Sequence, residues 1–519
     1  MGTCLGSKSC FLDICKKLRN TIDFSQKIES PKVHVYTCLS SRLEELLNHT
    51  LVFNMEETLL KSSSWFPFFM LVAFEGGGLL RAFLLLVLYP LICVVGEEWK
   101  LNIMVFVCFV GVKRSALKTI GRTVLPKFFL EDVGYQGFEV LTRFRIRVGV
   151  SNFPRVMVEA FLQEYLGIGT IVGREIKVYR GYYLGLMERK KDVTKEITSL
   201  VCKEENVIVI SGCEKTFKDQ QLITNCKGFY LVRKVEKEKW NYLPRDKYPK
   251  PLIFHDGRLA FFPTPMASLA MLIWLPFGAI LCITRIIIPI FLPFKISLPI
   301  LAFLGTSGLT SKNCSQTILN SSTNQNRNSK GKIYVCNHKT LLDPIYISYA
   351  CEVPLTALAY SISRFSQVLA PIKTVILTRD KEKDAKVMQK MLSKGSVVVC
   401  PEGTTCRERY LLRFSPLFAE MTDDIVPVAL EVKVSMFYGT TASGIKALDP
   451  IFFLLNPYPY YYVAILENLP KSHTCGSGGM SNIDVANYVQ AEIAKSLGYT
   501  CTVLTRKDKY MMLAGNTGD

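Results

Sequence analysis

The chain is expected to fold as an α/β protein with membrane-embedded helices, and three features of the sequence predict it. From about Gly331 onward, short β-branched runs alternate with segments of helical spacing. Met266 to Phe294 is one long apolar run, interrupted by Arg285 and the prolines Pro276, Pro289 and Pro293. Between Thr306 and Lys330 the composition shifts to Ser, Asn and Thr, centred on Ser321-Ser322-Thr323-Asn324-Gln325-Asn326, which reads as a flexible polar linker. The expected division is a tail over 1–50, a first domain over 51–250 with a hydrophobic helical insertion at 79–112, a membrane-embedded region over 251–310, the linker over 311–330 and a second domain over 331–519.

Composition narrows the function. The 519 residues carry 63 Lys and Arg against 44 Asp and Glu, a formal charge of +19, while 49% of residues are hydrophobic. High charge joined to high hydrophobicity argues against a disordered basic tail and suits a protein seated on an anionic lipid bilayer and handling anionic substrates. No nucleic-acid-binding signature is present, so no nucleic-acid partner is expected. The 17 cysteines show no Cys-x-x-Cys pair and no zinc-site spacing, which predicts reduced thiols facing the cytosol and no metal. The start, Met1-Gly2-Thr3-Cys4-Leu5-Gly6, lacks the Ser or Thr of a myristoylation signal, and no cleaved signal peptide is expected.

The apolar segments come first in the order of elements. At about 20 residues per crossing, Met266 to Phe294 can span a bilayer once or dip and return as a proline-broken hairpin. The earlier segments Phe83 to Gly96 and Leu101 to Val112 are split by Glu97-Glu98-Trp99-Lys100, and each is short for a span. In the last domain Lys332-Ile333-Tyr334-Val335, Thr374-Val375-Ile376-Leu377 and Ser396-Val397-Val398-Val399 read as buried strands, and Lys383 to Ser393 as a helix. The polar motifs fall just after the strands, where such sheets place their sites.

Asn337-His338-Lys339-Thr340-Leu341-Leu342-Asp343 is the foremost candidate. On an ideal helix positions i and i+5 lie roughly 140° apart, so His338 and Asp343 can meet only if at least one stands in a loop. Asp343-Pro344 resembles a helix start, with Asp at the N-cap and Pro at N1. A loop folding back would let Asp343 hold one imidazole nitrogen and stabilise the imidazolium formed on proton abstraction. Taken alone the pair is equally a solvated loop histidine beside a capping aspartate. Downstream stand Arg379, a forked cation suited to phosphate, then Pro401-Glu402-Gly403-Thr404-Thr405-Cys406-Arg407, whose glycine frees backbone for close approach, and then Ile425-Val426-Pro427-Val428-Ala429.

The order and spacing of these four blocks resemble the glycerolipid acyltransferase superfamily. The strings Leu252 to Ala260, Pro401 to Glu408 and Leu411 to Phe418 narrow the likeness to the land-plant glycerol-3-phosphate acyltransferases, over about Phe53 to Gly515. That resemblance implies transfer of a fatty acyl group from acyl-CoA to the sn-2 or sn-1 hydroxyl of glycerol 3-phosphate, giving lysophosphatidic acid for glycerolipid or extracellular lipid polyester synthesis, with no cofactor. By the same carry-over His338 is the base and Asp343 its partner, while Arg379, Glu402, Gly403, Thr404 and Pro427 belong to the substrate-binding blocks. It also implies an endoplasmic-reticulum membrane protein, or a mitochondrial one, whose active site faces cytosolic acyl-CoA.

In this family the amino-terminal domain resembles haloacid-dehalogenase-like phosphatases, which open on Asp-x-Asp after a strand. Here Val52-Phe53-Asn54-Met55-Glu56 places Asn54 at the nucleophile and Glu56 at the second acid, and an amide cannot form an acyl phosphate. Later motifs look like Val150-Ser151-Asn152 and Lys190-Lys191, while Cys213 and Phe217 replace acidic positions. The resemblance therefore implies a retained Rossmannoid fold without phosphatase activity, its hydrophobic insertion standing where that fold carries a helical cap. Two other readings stay open at this point: a lysophospholipid acyltransferase, and a catalytically silent membrane scaffold.

Overall fold

Runs of Val, Ile and Leu too short for helices and apolar on both sides build two largely parallel sheets. The structure, a computed structural model, describes residues 33–35, 49–188, 196, 199, 206–212, 226–306, 308–310, 331–360, 367 and 370–517. Most of the tail, Lys190-Lys191, Cys213, Phe217 and the linker 311–330 lie outside the described residues. Two units are present, Met1–Gly121 with Phe128–Lys250, and Arg122–Lys127 with Pro251–Asp519.

The first unit holds β1 (Val33–Val35), β2 (Thr50–Asn54), β3 (Ile146–Ser151), β4 (Thr170–Gly173), the hairpin β5 (Ile176–Tyr179) and β6 (Tyr182–Met187), β7 (Val207–Ser211) and β8 (Gly228–Leu231). Its sheet runs β1-β8-β7-β2-β3-β4, all parallel. Strands β2 and β7 are buried along their whole length. The carboxyl ends of β2, β3 and β7 bring Asn54, Ser151 and Ser211 to one edge of the sheet.

The hydrophobic insertion begins earlier than the sequence suggested. Instead of starting at 79, it opens with a helix over Phe66–Val87, whose first turn carries Pro67 and whose segment Phe66 to Phe74 is buried. Gly78, at φ 69°, breaks that helix where only glycine sits without strain. Helices over Tyr89–Val94 and Glu97–Phe109 follow, so the charged Glu97-Glu98 pair opens a new helix, where acidic side chains favour the amino-terminal dipole.

The second unit contains β9 (Gly308–Thr310), β10 (Ile333–Cys336), β11 (Thr356–Ala359), β12 (Thr374–Ile376), β13 (Val397–Val399), β14 (Tyr410–Leu411), β15 (Ile425–Lys433), β16 (Tyr460–Ile465) and β17 (Thr500–Cys501). Its main sheet runs β12-β11-β13-β10-β15-β16-β9, parallel except where β16 runs against β15. Alternation along the strands supplies two cores. Ile333, Val335, Val397 and Val399 enter one, with Met388 and Leu392 of the Lys381–Leu392 helix, while Cys336, Val398 and Ala357 enter the other. Pro427 is tolerated inside the sheet because the antiparallel ladder with β16 starts one residue later, at Val428.

The long apolar run forms a 27-residue helix over Pro265–Phe291, capped by Thr264 and followed, after Pro293, by a helix over Phe294–Phe303. At 1.5 Å per residue the first exceeds the roughly 30 Å of a hydrocarbon layer. Among the described residues two helices, Phe66–Val87 and Pro265–Phe291, are long and apolar enough to cross a membrane. On the second, Met266, Leu269, Ile273, Phe277, Ile280, Ile283, Ile287 and Ile290 are exposed at helical spacing, whereas Ser268, Gly278, Cys282 and Arg285 are buried. An apolar stripe turned outward and a charged group turned inward is the arrangement suited to lipid.

Candidate active site

Strands β10 and β13 lie side by side in parallel register, and both end at the same edge of the sheet. The chain leaving β10 carries His338, and the residue leaving β13 is Cys400. Asn337 fixes the exit, its amide donating to Leu430 O at 2.9 Å and accepting from Leu430 N at 2.8 Å. His338 then donates its backbone N–H to Glu402 Oε1 at 2.8 Å, and its carbonyl accepts from Cys406 N at 2.9 Å. Both ends of the histidine's backbone are held, so its ring has one orientation.

The loop closes the pair as the helical-period argument required. His338 Nδ1 lies 2.8 Å from Asp343 Oδ2. Asp343 does not act as the N-cap expected from sequence. It is the first residue of the Asp343–Cys351 helix, after Leu342 at the cap. Its carboxylate turns back instead, accepting from Lys339 N at 2.6 Å, from Thr340 N at 2.8 Å and from the Tyr461 hydroxyl. Those donors satisfy a fully buried carboxylate and bend the loop around it. Tyr461 stacks on Tyr346 at 3.8 Å between ring centroids, which fixes the phenol in turn.

Two cysteines that the sequence did not single out complete the cluster. Cys336 and Cys400 follow the β10–β13 register and place their sulfurs 3.3 Å apart. The Cys400 thiol is hydrogen-bonded to the His338 ring, and one ligand atom from each of His338, Asp343 and Cys400 lies within 4.8 Å of the others. The Cys336 thiol holds Cys400 down to about 6, against burial, which raises it, with the imidazole adding to the effect. Burial by itself would depress His338, but Cys400 and Asp343 outweigh it and hold the imidazole well above the ordinary histidine value. Two strands that each end in Cys immediately before a polar motif were the available signal; only the register shows that the sulfurs meet.

The other predicted residues divide. Gly403 and Thr404 line a cavity of about 730 Å³ together with His338 and Cys400. Gly403 stands at φ 65°, with open space where a Cβ would point. Glu402 and Pro427 are not among the lining residues. Glu402 serves the backbone, accepting from His338 N and, at 3.1 Å, from Leu412 N, and burial pushes its carboxyl up to about 7. Arg379 also stays off the cavity lining; it ends β12's loop at φ 68°, with its N–H bonded to Asp384 Oδ2 at 2.9 Å. The rest of the wall is amphipathic. Ile286, Pro289, Leu298, Leu301, Ile345 and Tyr346 contribute apolar surface, whereas Thr405, Thr441, Lys446, Arg506 and Tyr510 contribute polar groups.

The degenerate motifs of the first unit also assemble. Asn54 caps the short helix Met55–Thr58 by accepting from Glu57 N at 3.1 Å. Glu56 takes the Ser151 hydroxyl and Asn152 N, the latter at 3.1 Å, while Glu57 takes Ser211 Oγ at 2.7 Å and Gly212 N at 3.0 Å. Burial raises the Glu56 carboxyl to about 7. Four donors at this sheet edge, Ser151 Oγ, Asn152 N, Ser211 Oγ and Gly212 N, are thus bonded to the protein's own carboxyl groups.

A family model described as the HAD-like domain of RAM2-like glycerol-3-phosphate acyltransferases matches residues 50–232, and an acyltransferase model matches residues 318–431. The fold and site thus define an acyltransferase joined to a HAD-like domain. "Probable glycerol-3-phosphate acyltransferase 2" of Arabidopsis thaliana is 49% identical over 503 residues, covering 94% of each chain, and "Probable glycerol-3-phosphate acyltransferase 3" of the same plant is 49% identical over 484 residues, covering 91% of each. "Glycerol-3-phosphate acyltransferase RAM2" of Petunia hybrida is 41% identical over 473 residues, covering 89% of this chain and 97% of its own. The chain belongs to the plant glycerol-3-phosphate acyltransferase family.

Proposed function

We propose that the protein transfers a fatty acyl group from acyl-CoA to a hydroxyl of glycerol 3-phosphate, releasing lysophosphatidic acid and CoA. The observation that carries this reading is the His338–Asp343 pair, 2.8 Å apart, with His338 in the wall of a cavity lined by both apolar and polar side chains. A thioester is already activated, so the acceptor hydroxyl attacks its carbonyl carbon directly as His338 takes the proton. Asp343 stabilises the imidazolium, and CoA leaves as the thiolate, which the imidazolium protonates. Holding both substrates in one cavity supplies the larger part of the acceleration. The chemistry uses no metal or cofactor. The outward apolar stripe on Pro265–Phe291 supports a seat in a bilayer; the proposed membrane is that of the endoplasmic reticulum, with the mitochondrion as the alternative, and the proposed active site is open to cytosolic acyl-CoA.

The first unit is proposed to be inactive as a phosphatase. Asn54 offers no nucleophile, and Glu56 and Glu57 occupy the donors that would otherwise meet a phosphate. Purified protein given labelled acyl-CoA and glycerol 3-phosphate is expected to yield lysophosphatidic acid with one free CoA per acyl group transferred and no inorganic phosphate. A monoacylglycerol product with phosphate release would overturn the phosphatase reading. Acylation of lysophosphatidic acid in place of glycerol 3-phosphate would overturn the acceptor.

The pH profile tests the cluster around His338. The base must be unprotonated, so kcat rises with pH through the imidazole's pKa. With that value held above the ordinary 6.5, the acid limb is expected above about pH 6.5. Cys400→Ser removes the neighbouring sulfur that raises it, and the limb should move to lower pH. An unmoved limb in Cys400→Ser would show that the thiol does not act on His338.

A further inference from the structure

The cation that sequence offers for phosphate, Arg379, does not line the cavity. Among the described residues, the side chains on that wall that can carry positive charge are Arg285, His338, Lys446 and Arg506. Arg285 is committed to backbone carbonyls, donating to Leu304, Leu454, Asn456 and Pro457 at 2.5–2.8 Å. Lys446 and Arg506 flank a single ring, with Lys446 Nζ 4.6 Å and Arg506 Cζ 5.1 Å from the centre of Tyr510. The Tyr510 hydroxyl is hydrogen-bonded to Lys446 and Thr404. Lys509, buried behind them, donates to Thr404 Oγ1 at 3.2 Å and to Thr405 O at 2.5 Å, which fixes the chain just after Gly403. Two acidic residues, Glu352 and Asp449, also line the cavity, and Asp449, three residues from Lys446, is paired with Arg258 at 2.7 Å.

The loop that carries Lys446 is held in place by the string His255 to Arg258. Asp256 accepts from Thr441 Oγ1 at 3.1 Å and from Ser443 N at 2.9 Å, Arg258 donates to Ile445 O at 3.1 Å, and Arg407 bonds both Gly257 O and Thr440. Two cations converge there beside hydroxyl groups, on the wall that also carries His338 and on braced backbone. We infer that Lys446 and Arg506, with Tyr510 and the hydroxyls of Thr404 and Thr405, form the seat for the acceptor's phosphate and set the enzyme's choice of phosphorylated over unphosphorylated alcohols. This rests on the acyl-transfer reading of the same cavity, and it assigns the phosphate to residues outside the four motif blocks except for the turn after Gly403.

Binding measured without turnover separates the two claims. In a His338→Ala background, calorimetric titration with glycerol 3-phosphate should show Kd raised about tenfold or more by Lys446→Gln and by Arg506→Gln, the size expected for loss of a charge-assisted hydrogen bond. Arg506→Lys should recover part of the loss, since the charge remains and the fork does not. In the active background the same Gln variants should raise KM for glycerol 3-phosphate, leave KM for acyl-CoA unchanged and narrow the preference over glycerol. Unchanged Kd in both Gln variants, or loss of binding through Arg379→Gln with Lys446→Gln and Arg506→Gln like the parent, would overturn the assignment. Loss of binding in the Gln variants of a protein that transfers no acyl group would support the seat and overturn the acyl-transfer reading alone.

Discussion

Replacing His338 by alanine should lower kcat about 10²- to 10⁴-fold while leaving KM for acyl-CoA near its wild-type value, the range expected when a general base is removed. The reason lies in how completely the loop is committed to this one ring. Glu402 holds the N–H of His338, the Cys406 N–H holds its carbonyl, and the carboxylate of Asp343 holds Nδ1. With the imidazole gone, Cys400 remains on the wall, its thiol against that of Cys336. Loss in kcat with KM preserved distinguishes a lost base from a lost binding contact. His338→Ala activity within about threefold of wild type would show that the proton leaves by another route.

Arg285→Met should be the most destabilising single change in the second unit, costing about 4 kcal/mol or more. Its guanidinium sits 2% exposed on a helix otherwise apolar, and donates to carbonyls from two separate segments, Leu304 on one side and Leu454, Asn456 and Pro457 on the other. Leu304 and Leu454 stand at helix ends, where carbonyls lack an intrahelical donor, and Asn456 and Pro457 lie in the bend that follows. Methionine fills the space but leaves several buried acceptors unbonded, at about 1–3 kcal/mol apiece. Thermal unfolding of detergent-solubilised protein checks it. A midpoint equal to wild type would mean that water reaches those carbonyls, and Arg285→Lys should fall between the two because a single ammonium cannot span both segments.

Much of the second unit was legible because local and global preferences agree there. The β-branched runs at 333–335, 374–376 and 397–399 are strands, and the helix predicted over Lys383 to Ser393 is observed over Lys381–Leu392. That His338 and Asp343 could meet only with one of them in a loop followed from the period of the helix. Asp343 was displaced by one position from its predicted cap because its carboxylate finds nearer donors in the amides of Lys339 and Thr340 than in the helix that follows. What sequence could not carry is whatever depends on register or on long returns of the chain. Cys336 meets Cys400 through the pairing of two strands, and Lys446, Arg506 and Tyr510 reach the wall from far beyond the motif blocks. Arg379 and Glu402 show the reverse. Both were expected among the substrate-binding residues, yet Glu402 supports backbone and Arg379 stays off the wall. The early start of the hydrophobic insertion, at Phe66, was hidden because a buried aromatic run looks alike in a core and in a cap.

The central claim is that His338 and Asp343 act as one unit in acyl transfer, and a double-mutant cycle addresses it directly. kcat for lysophosphatidic acid formation is measured in wild type, His338→Ala, Asp343→Asn and the combined variant under one set of conditions. If the carboxylate works through the imidazole, Asp343→Asn should be slowed, and the combined variant should be no slower than His338→Ala, because removing the ring leaves the carboxylate nothing to orient. Losses that multiply in the combined variant, or an Asp343→Asn enzyme as fast as wild type, would contradict the account.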